Sequence, residues 1–434
     1  MSKAVIRPLL SLKQLLRSTS CLSSNVSFHQ LREVTLSARE VTPITIKQAR
    51  NLLMDMVGTS YNTDEQKVVK GKDLLPIKSS QEECPVRTMT DSYQEVIIPL
   101  GQDQEVRQKY LTSMQGFRFG RILEDMDTFA GLICYTHNQD PSKGQNMKSP
   151  LSTVTALVDR IDMHGVALSP FKDVRMCGHV TWVGRSSMEV TMIVEQDMDG
   201  TREQVLTARF VMVARNPETK KSAVVNGLKP ATEQELALFD LGERKRQLRQ
   251  EESKKSLLKT APNEEERNII HSLFLQTIDQ KSGTFNIRVK PENSVWMDKT
   301  ILKNLRICQP EQKNLYNKIF GGFLMRQAFE MAWANAAIYC KGRPVVQVVD
   351  DIVFHRPVEI GSLLFLSSQV VYTEGALMQL KVHAEVVDPL TGSRHTTNDF
   401  YFAFDTNQPD LPHVVPKTYS ESMLFLDGMR HLRD

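Results

Sequence analysis

The chain aligns with itself. The stretch from Val180 to Glu195 lies over Val370 to Glu385 at a shift of 190 residues (370 − 180), with Met188 over Met378. Phe210 keeps that shift against Phe400, and Leu157-Val158-Asp159-Arg160-Ile161 matches Val349-Asp350-Asp351-Ile352 at a shift of 191. Upstream, Phe119-Gly120 matches Phe320-Gly321 at 201; at the ends, Leu238-Phe239 and Gly242 resemble Leu424-Phe425 and Gly428. One such block arises by chance, but five in the same order do not. The chain must therefore build one unit twice.

Each copy reads as a long helix followed by strands. The second helix, from Gly322 to Tyr339, carries Phe323, Leu324, Met325, Phe329, Met331, Trp333 and Ile338 with alanines between. It is apolar nearly all round, which is the pattern of a helix wrapped by other structure. Alternating β-rich runs follow, such as Val345–Phe354, Leu363–Tyr372 and Met378–Val387, and hairpin signals at Asp199-Gly200 and Asp388 to Gly392 separate strands. A buried helix with an antiparallel meander implies a sheet curled around the helix. The reading is α+β, with a basic N-terminus over 1–40, domain 1 over 84–228, a charged helical linker over 229–286, domain 2 over 287–408 and a tail helix over 409–434. The Glu/Lys/Arg/Gln-rich linker reads as a solvated connector.

Composition removes several classes of function. The net charge is +3, but residues 1–32 hold five of the 54 basic side chains and no acid, which leaves the rest at −2 (49 against 51). A body so balanced lacks the concentrated basic face that nucleic acid requires. No apolar run approaches the roughly 18 residues of a membrane span. Six scattered cysteines, with no CxxC and no HExxH, argue against a metal site and against a disulfide framework. In the leader, Lys3, Arg7, Lys13 and Arg17 fall on one side of a helical wheel and Val5, Leu9, Leu12, Leu15 and Leu16 on the other. Acid-free and Ser-rich, it reads as a mitochondrial transit peptide, cleaved within residues 17–40 to leave the body in the matrix. No G-x-S-x-G, GxGxxG or GxxxxGK[ST] occurs, so a serine α/β-hydrolase, a dinucleotide fold and a P-loop lose their anchors.

A helix entered through Phe320-Gly321-Gly322 and swathed in a meander resembles a hotdog domain, and two in tandem resemble the type II acyl-CoA thioesterases. The blocks Arg118 to Asp125, Val154 to Asp159, Tyr316 to Arg326 and Leu363 to Gln369 carry the likeness, which covers about residues 45–434. The resemblance implies a pseudo-dimer of hotdog folds that hydrolyses fatty acyl-CoA to fatty acid and CoA. It implies acyl-CoA as the partner molecule, no cofactor beyond the substrate's own CoA, and a homo-oligomer. A hotdog dehydratase would want a positioned histidine at the loop or helix entrance, and neither entrance offers one. A non-catalytic acyl-CoA binding module remains the other alternative. The chemistry itself asks for little, because a thiolate of pKa near ~8.5 leaves without a strong acid. One carboxylate and one set of amides suffice.

Asp127 is the leading catalytic candidate. It borders the stripe of Ile122, Met126, Phe129 and Ile133, where an isolated acid acquires a raised pKa. Arg121, Glu124 and Asp125 cluster on another side, with Arg121 and Asp125 read as an i,i+4 pair. In the second helix the corresponding position is Phe329, or Ala328 under strict alignment; Glu330 is nearby but shares a face with Arg326 and Gln327. The loop before the second helix holds Asn317 and Lys318, whereas the loop before the first, from Met114 to Gly120, has no Asn or Asp. The family's polar loop residue aligns with Lys318, so either residue is a candidate partner, and Asn317 can alternatively supply a left-handed turn. The amides at Gly321 and Gly322 are candidates to hold an oxyanion. Arg356, Arg175 and Lys172 are candidates for the CoA phosphates, against a default of surface charge. The expected site combines Asp127 of one copy with the Asn317-Lys318 loop of the other, with Asp127 acting as base or as nucleophile.

Overall fold

Each Phe-Gly block opens a helix that becomes the centre of one half. The protein is described by a computed structural model over residues 42–57, 75–142, 147–279, 281, 284–285, 288–314 and 318–433. The longer helices are α1 (Ile46–Val57), α2 (Phe119–His137), α3 (Glu233–Lys255), α4 (Glu264–Gln276), α5 (Gly321–Cys340) and α6 (Tyr419–Arg433). The first half has strands β1 (Ile44–Thr45), β2 (Gln94–Ile98), β3 (Ser152–Val158), β4 (Ile161–Met163), β5 (Val174–Val183), β6 (Ser187–Met198) and β7 (Thr201–Arg215). The second has β8 (Leu302–Ile307), β9 (Val345–Val349), β10 (Ile352–Val353), β11 (Leu363–Glu374), β12 (Leu377–Val387) and β13 (Arg394–Asp405).

These thirteen strands form one sheet, in the order β1-β2-β5-β6-β7-β4-β9-β13-β12-β11-β8, with β3 bonded to both β7 and β10. Alternation along the strands sends Val180, Val190 and Phe210 toward α2, and Val370, Leu380 and Phe400 toward α5, all fully buried. The two copies even share their irregularities. Bulges fall at Val180/Trp182 and Val370/Tyr372, at Val194/Glu195 and Ala384/Glu385, and at Thr155/Leu157 and Val346/Val348. A bulge re-aims the residues beyond it, so keeping three pairs in place keeps the whole curl of the sheet.

The halves meet along a reciprocal seam. Ile161 pairs with Val349 across β4 and β9, and Val158 pairs with Ile352 across β3 and β10. Under the 191-residue shift each of these pairs is the image of the other, which is the signature of a twofold interface written on a single chain. The expected pseudo-dimer, with the sheets joined edge to edge, is what the chain forms. The seam also brings α2 and α5 into contact.

The linker is more than a solvated connector. It does contain the helices α3 and α4, but Leu238 of α3 is buried against Met89, Tyr93, Cys177 and Ile193 on the outer face of the first sheet. Gly242 lies so close that an added Cβ would sit 2.6 Å from the Cβ of Trp182. In the second half α6 does the same: a Cβ on Gly428 would sit 2.6 Å from Val371 and 3.2 Å from Tyr372. Trp182 and Tyr372 are equivalent in the repeat, so each half closes its outer face with a glycine laid over an aromatic residue. The charged side chains that make α3 look solvated reach back as well, Lys245 to Asp159 and Arg249 to within 4.0 Å of the same carboxylate.

Candidate active site

Asp127 lies in the middle of α2 and is only 2% exposed. The sequence places it at the edge of an apolar stripe; the structure buries it further, because α5 covers the side that a lone helix would leave open. Its Oδ2 accepts the backbone N–H of Gly322, at the opening of α5, at 2.6 Å. Its Oδ1 accepts the hydroxyl of Thr155 on β3. Thus acid and hydroxyl come from the first copy and the helix terminus from the second. Burial pushes the Asp127 carboxyl up to about 6, against the opposing pull of the Thr155 and Gly322 hydrogen bonds, and the nearby Glu124 adds to the rise.

Two glycines make the approach possible. A Cβ on Gly322 would sit 2.7 Å from the Phe320 ring and 2.8 Å from the Cα of Glu124, inside the space of the facing helix backbone. A Cβ on Gly321 would sit 3.1 Å from Asp127 Oδ2 and 3.4 Å from the Phe354 ring. The Gly322 amide, expected as an oxyanion donor, is therefore spent on the carboxylate. The dipole of the 20-residue helix α5 adds its positive end at the same place.

The loop before α5 is tied down at its feet. Lys313 and Ile319 form an isolated bridge, Asn314 N–H donates to the Lys318 carbonyl at 2.6 Å, and Ile319 N–H donates to Val358. Asn317 lies outside the described residues. Its counterpart in the first loop, which has the same bridge between Leu111 and Phe117, is Gln115, held at φ +61°. Lys318 turns its ammonium to the Glu359 carboxylate in an exposed ion pair. Arg356 is exposed on the segment that follows β10, two residues beyond Phe354, which flanks Gly321. Arg175 and Lys172 are paired elsewhere, with Glu95 and Asp199.

The mirror position, at the opening of α2, is built differently. Phe329 stands where an acid would be needed, its ring 5.1 Å from Phe119, 5.6 Å from Phe402 and 5.9 Å from Phe404 between centroids. Strict alignment puts Ala328 opposite Asp127 and Val346 opposite Thr155. Glu330 reaches the Arg118 guanidinium at 2.7 Å, with a third of its side chain exposed. Its hydrogen-bonded partner is thus Arg118 at the far helix opening, and Arg326 on its own helix lies close enough to feel its charge.

One sequence pairing is corrected. Arg121 bonds Glu124 at 2.6 Å and leaves Asp125 to Arg50 of α1, at 2.5 Å, and to the Tyr110 hydroxyl. Leu100, Ile122 and Leu132 are fully buried in the core, which is worth roughly 1.5–3 kcal/mol each. Thr155 is the site residue that sequence reasoning missed. On a strand it looks like an ordinary β-former, and the only available hint was its change to Val346 in the other copy. Among the described residues no cluster of three or more His, Cys, Asp or Glu is placed to hold a metal ion, and no helix is long and apolar enough to cross a membrane.

Comparison with known proteins shows the family. The thioesterase superfamily model matches residues 316–392, the α5 half. The chain is 49% identical over 395 residues to acyl-coenzyme A thioesterase 9, mitochondrial, from Mus musculus, covering 90% of this chain and 89% of that one. It is 49% identical to the Homo sapiens protein of the same name, over 89% and 88%. It is 33% identical to acyl-coenzyme A thioesterase 2, chloroplastic, from Humulus lupulus, over 80% and 82%. Two curled half-sheets and two buried helices on one chain agree with that likeness. The chain belongs to the acyl-coenzyme A thioesterase family, as two hotdog domains in tandem.

Proposed function

We propose that this protein hydrolyses fatty acyl-CoA to fatty acid and CoA at a single site per chain, between Asp127 of the first copy and the opening of α5 in the second. The observation that carries the reading is the buried Asp127 carboxylate on the Gly322 amide, across the interface between copies. Water adds to the thioester carbonyl, the C–S bond breaks, and CoA leaves as thiolate while the acid product takes the water oxygen. Asp127, with a pKa near 6, is ionised at neutral pH and placed to take the water proton. The same carboxylate is equally placed to attack the carbonyl and form an anhydride that water then opens. Thr155 and Gly322 hold it in either case. We assign the Gly321 amide and the Asn317-Lys318 loop to the carbonyl oxygen or the water, and Arg356 to a CoA phosphate. Glu330 belongs to a second, filled position with its Arg118 ion pair. Substrate CoA is the only nucleotide the chemistry needs.

The test is release of CoA from acyl-CoA by purified protein and by Asp127→Asn. Rapid release from the first and little from the second is the expected result; equal release from both removes Asp127 from the site. A single turnover in H₂¹⁸O tests the nucleophile route: an anhydride opened at the Asp127 carboxyl carbon gives unlabelled fatty acid and a labelled protein carboxylate, whereas direct attack of water on the thioester labels the fatty acid and not the protein.

The protein is mitochondrial, and the acid-free leader is read as directing it to the matrix. Protease protection of the mature chain in mitoplasts is expected; loss of the chain when the outer membrane is opened would place it elsewhere. Association of chains is supported by β8, an edge strand that leaves Leu305 at 47% and Ile307 at 55% exposed. Open edges with apolar side chains invite pairing. Light scattering should give a mass above 49.4 kDa.

A further inference from the structure

We propose that Arg326, on the second copy, is a positioning residue for catalysis: by pairing with Glu124 it sets the ionisation of Asp127 across the interface. The inference rests on the proposed site and adds to it the source of its electrostatic control. Glu124 lies three residues before Asp127 on α2, so their side chains share one face. Its carboxylate is 85% buried, and Arg326 Nε approaches it at 3.0 Å from α5 while Arg121 approaches at 2.6 Å from its own helix. Arg326 is pinned there, since its Cγ lies 3.1 Å from the place a Cβ on Gly120 would take, and its guanidinium stands over the Phe323 ring at 5.6 Å. Glu124 opposes the ionisation of Asp127. By offsetting the Glu124 charge, Arg326 favours the ionised form of Asp127 without touching it.

Other charges are accounted for. Glu330, on α5, is paired with Arg118, and Asp125, on α2, with Arg50 of α1. The strand over Asp127 supplies Thr155, whose hydroxyl also lies 3.4 Å from the Met212 sulfur, and both are uncharged. The segment over Gly321 supplies Phe354. The sign then follows. With Arg326 replaced by Gln, the Glu124 charge loses one of its two compensating guanidinium groups, Asp127 holds its proton to higher pH, and the acid limb of kcat/KM moves up. With Glu124 replaced by Gln, the repulsion is gone and the limb moves down.

The experiment is the pH profile of kcat/KM for acyl-CoA, read as CoA released, in wild type, Arg326→Gln, Arg326→Lys and Glu124→Gln. Arg326→Gln should raise the acid limb by about half to one unit, Glu124→Gln should lower it by a similar amount, and Arg326→Lys should return it to the wild-type position. A Lys variant that fails to restore the limb, or limbs that do not move while rates fall, would reduce Arg326 to a packing residue. Asp127→Asn is run alongside. If it keeps full activity the site assignment fails; if it is inactive while the limbs of the other variants stay fixed, the site stands and the inference about Arg326 is overturned. Glu124→Gln keeps the test decisive if Arg326→Gln does not fold, because it must shift the limb in the opposite direction.

Discussion

The openings of α2 and α5 started as the same place in a repeated unit and now do opposite things. At α5 a glycine amide meets a buried carboxylate and a hydroxyl; at α2 the matching space is filled by a four-ring aromatic cluster and bridged by Arg118 and Glu330. The backbone differs little between the two, down to three shared bulges. Function therefore separates at a handful of side chains on a common frame, which is how a fold hosts a site without being defined by it.

That contrast breaks first at Asp127. Asp127→Asn should lower kcat by about 10²–10⁴ with acyl-CoA binding retained. Its melting temperature at pH 7.5 should equal or exceed that of wild type. The carboxyl is raised in the fold from 3.8 to about 6, so the native state holds a proton that the unfolded chain has already lost. Stability on this account is full below about 3.8, declines as pH rises toward 6, and stays reduced above it. The neutral amide escapes that loss. A cold, unstable variant with low activity would mean that folding, and not chemistry, had been damaged.

Thr155→Val copies the second half's Val346 into the first. It removes a hydrogen bond that favours the ionised acid, so the acid limb of kcat/KM should move above its wild-type position near pH 6, with kcat down roughly tenfold. An unmoved limb would show that the hydroxyl does not govern the carboxylate. Gly242→Ala and Gly428→Ala address the outer helices, where the two halves are alike. Each should cost about 1–3 kcal/mol in denaturant unfolding with activity per folded molecule nearly intact. Unequal losses would show that only one helix is essential to its sheet. The smallest effect is expected at Glu330→Gln, a change in kcat within about threefold, because the ion pair is partly solvated. Should Glu330→Gln abolish turnover and Asp127→Asn spare it, the working opening is that of α2.

Much of this was readable beforehand, for definite reasons. Strand registers preserve hydrophobic alternation, so the 190-residue shift survives in sequence and discloses the duplication. Asp127 stood out because acids seldom border an apolar stripe. Thr155 did not, since its role depends on a contact made 28 residues away in the chain and its residue type is common in strands. Arg50 was missed as the partner of Asp125 for the same reason: the local i,i+4 geometry offered Arg121 first. The packing of α3 was hidden by its charges, although Gly242 and Gly428 already sat in the aligned blocks. A glycine in a charged helix was the available clue.

The reciprocal seam has a further consequence. In an assembly of two identical chains every substitution is made twice, so a ring that blocks one entrance blocks both and abolishes the catalyst. Joining the halves covalently releases that bond between copies. Phe329 could occupy one entrance while Asp127 was kept at the other, and each half became free to specialise, one in chemistry and one in shaping what surrounds it. The Ile161–Val349 and Val158–Ile352 pairs keep the older equality at the seam itself. They hold the partners in register so that inequality elsewhere is tolerated.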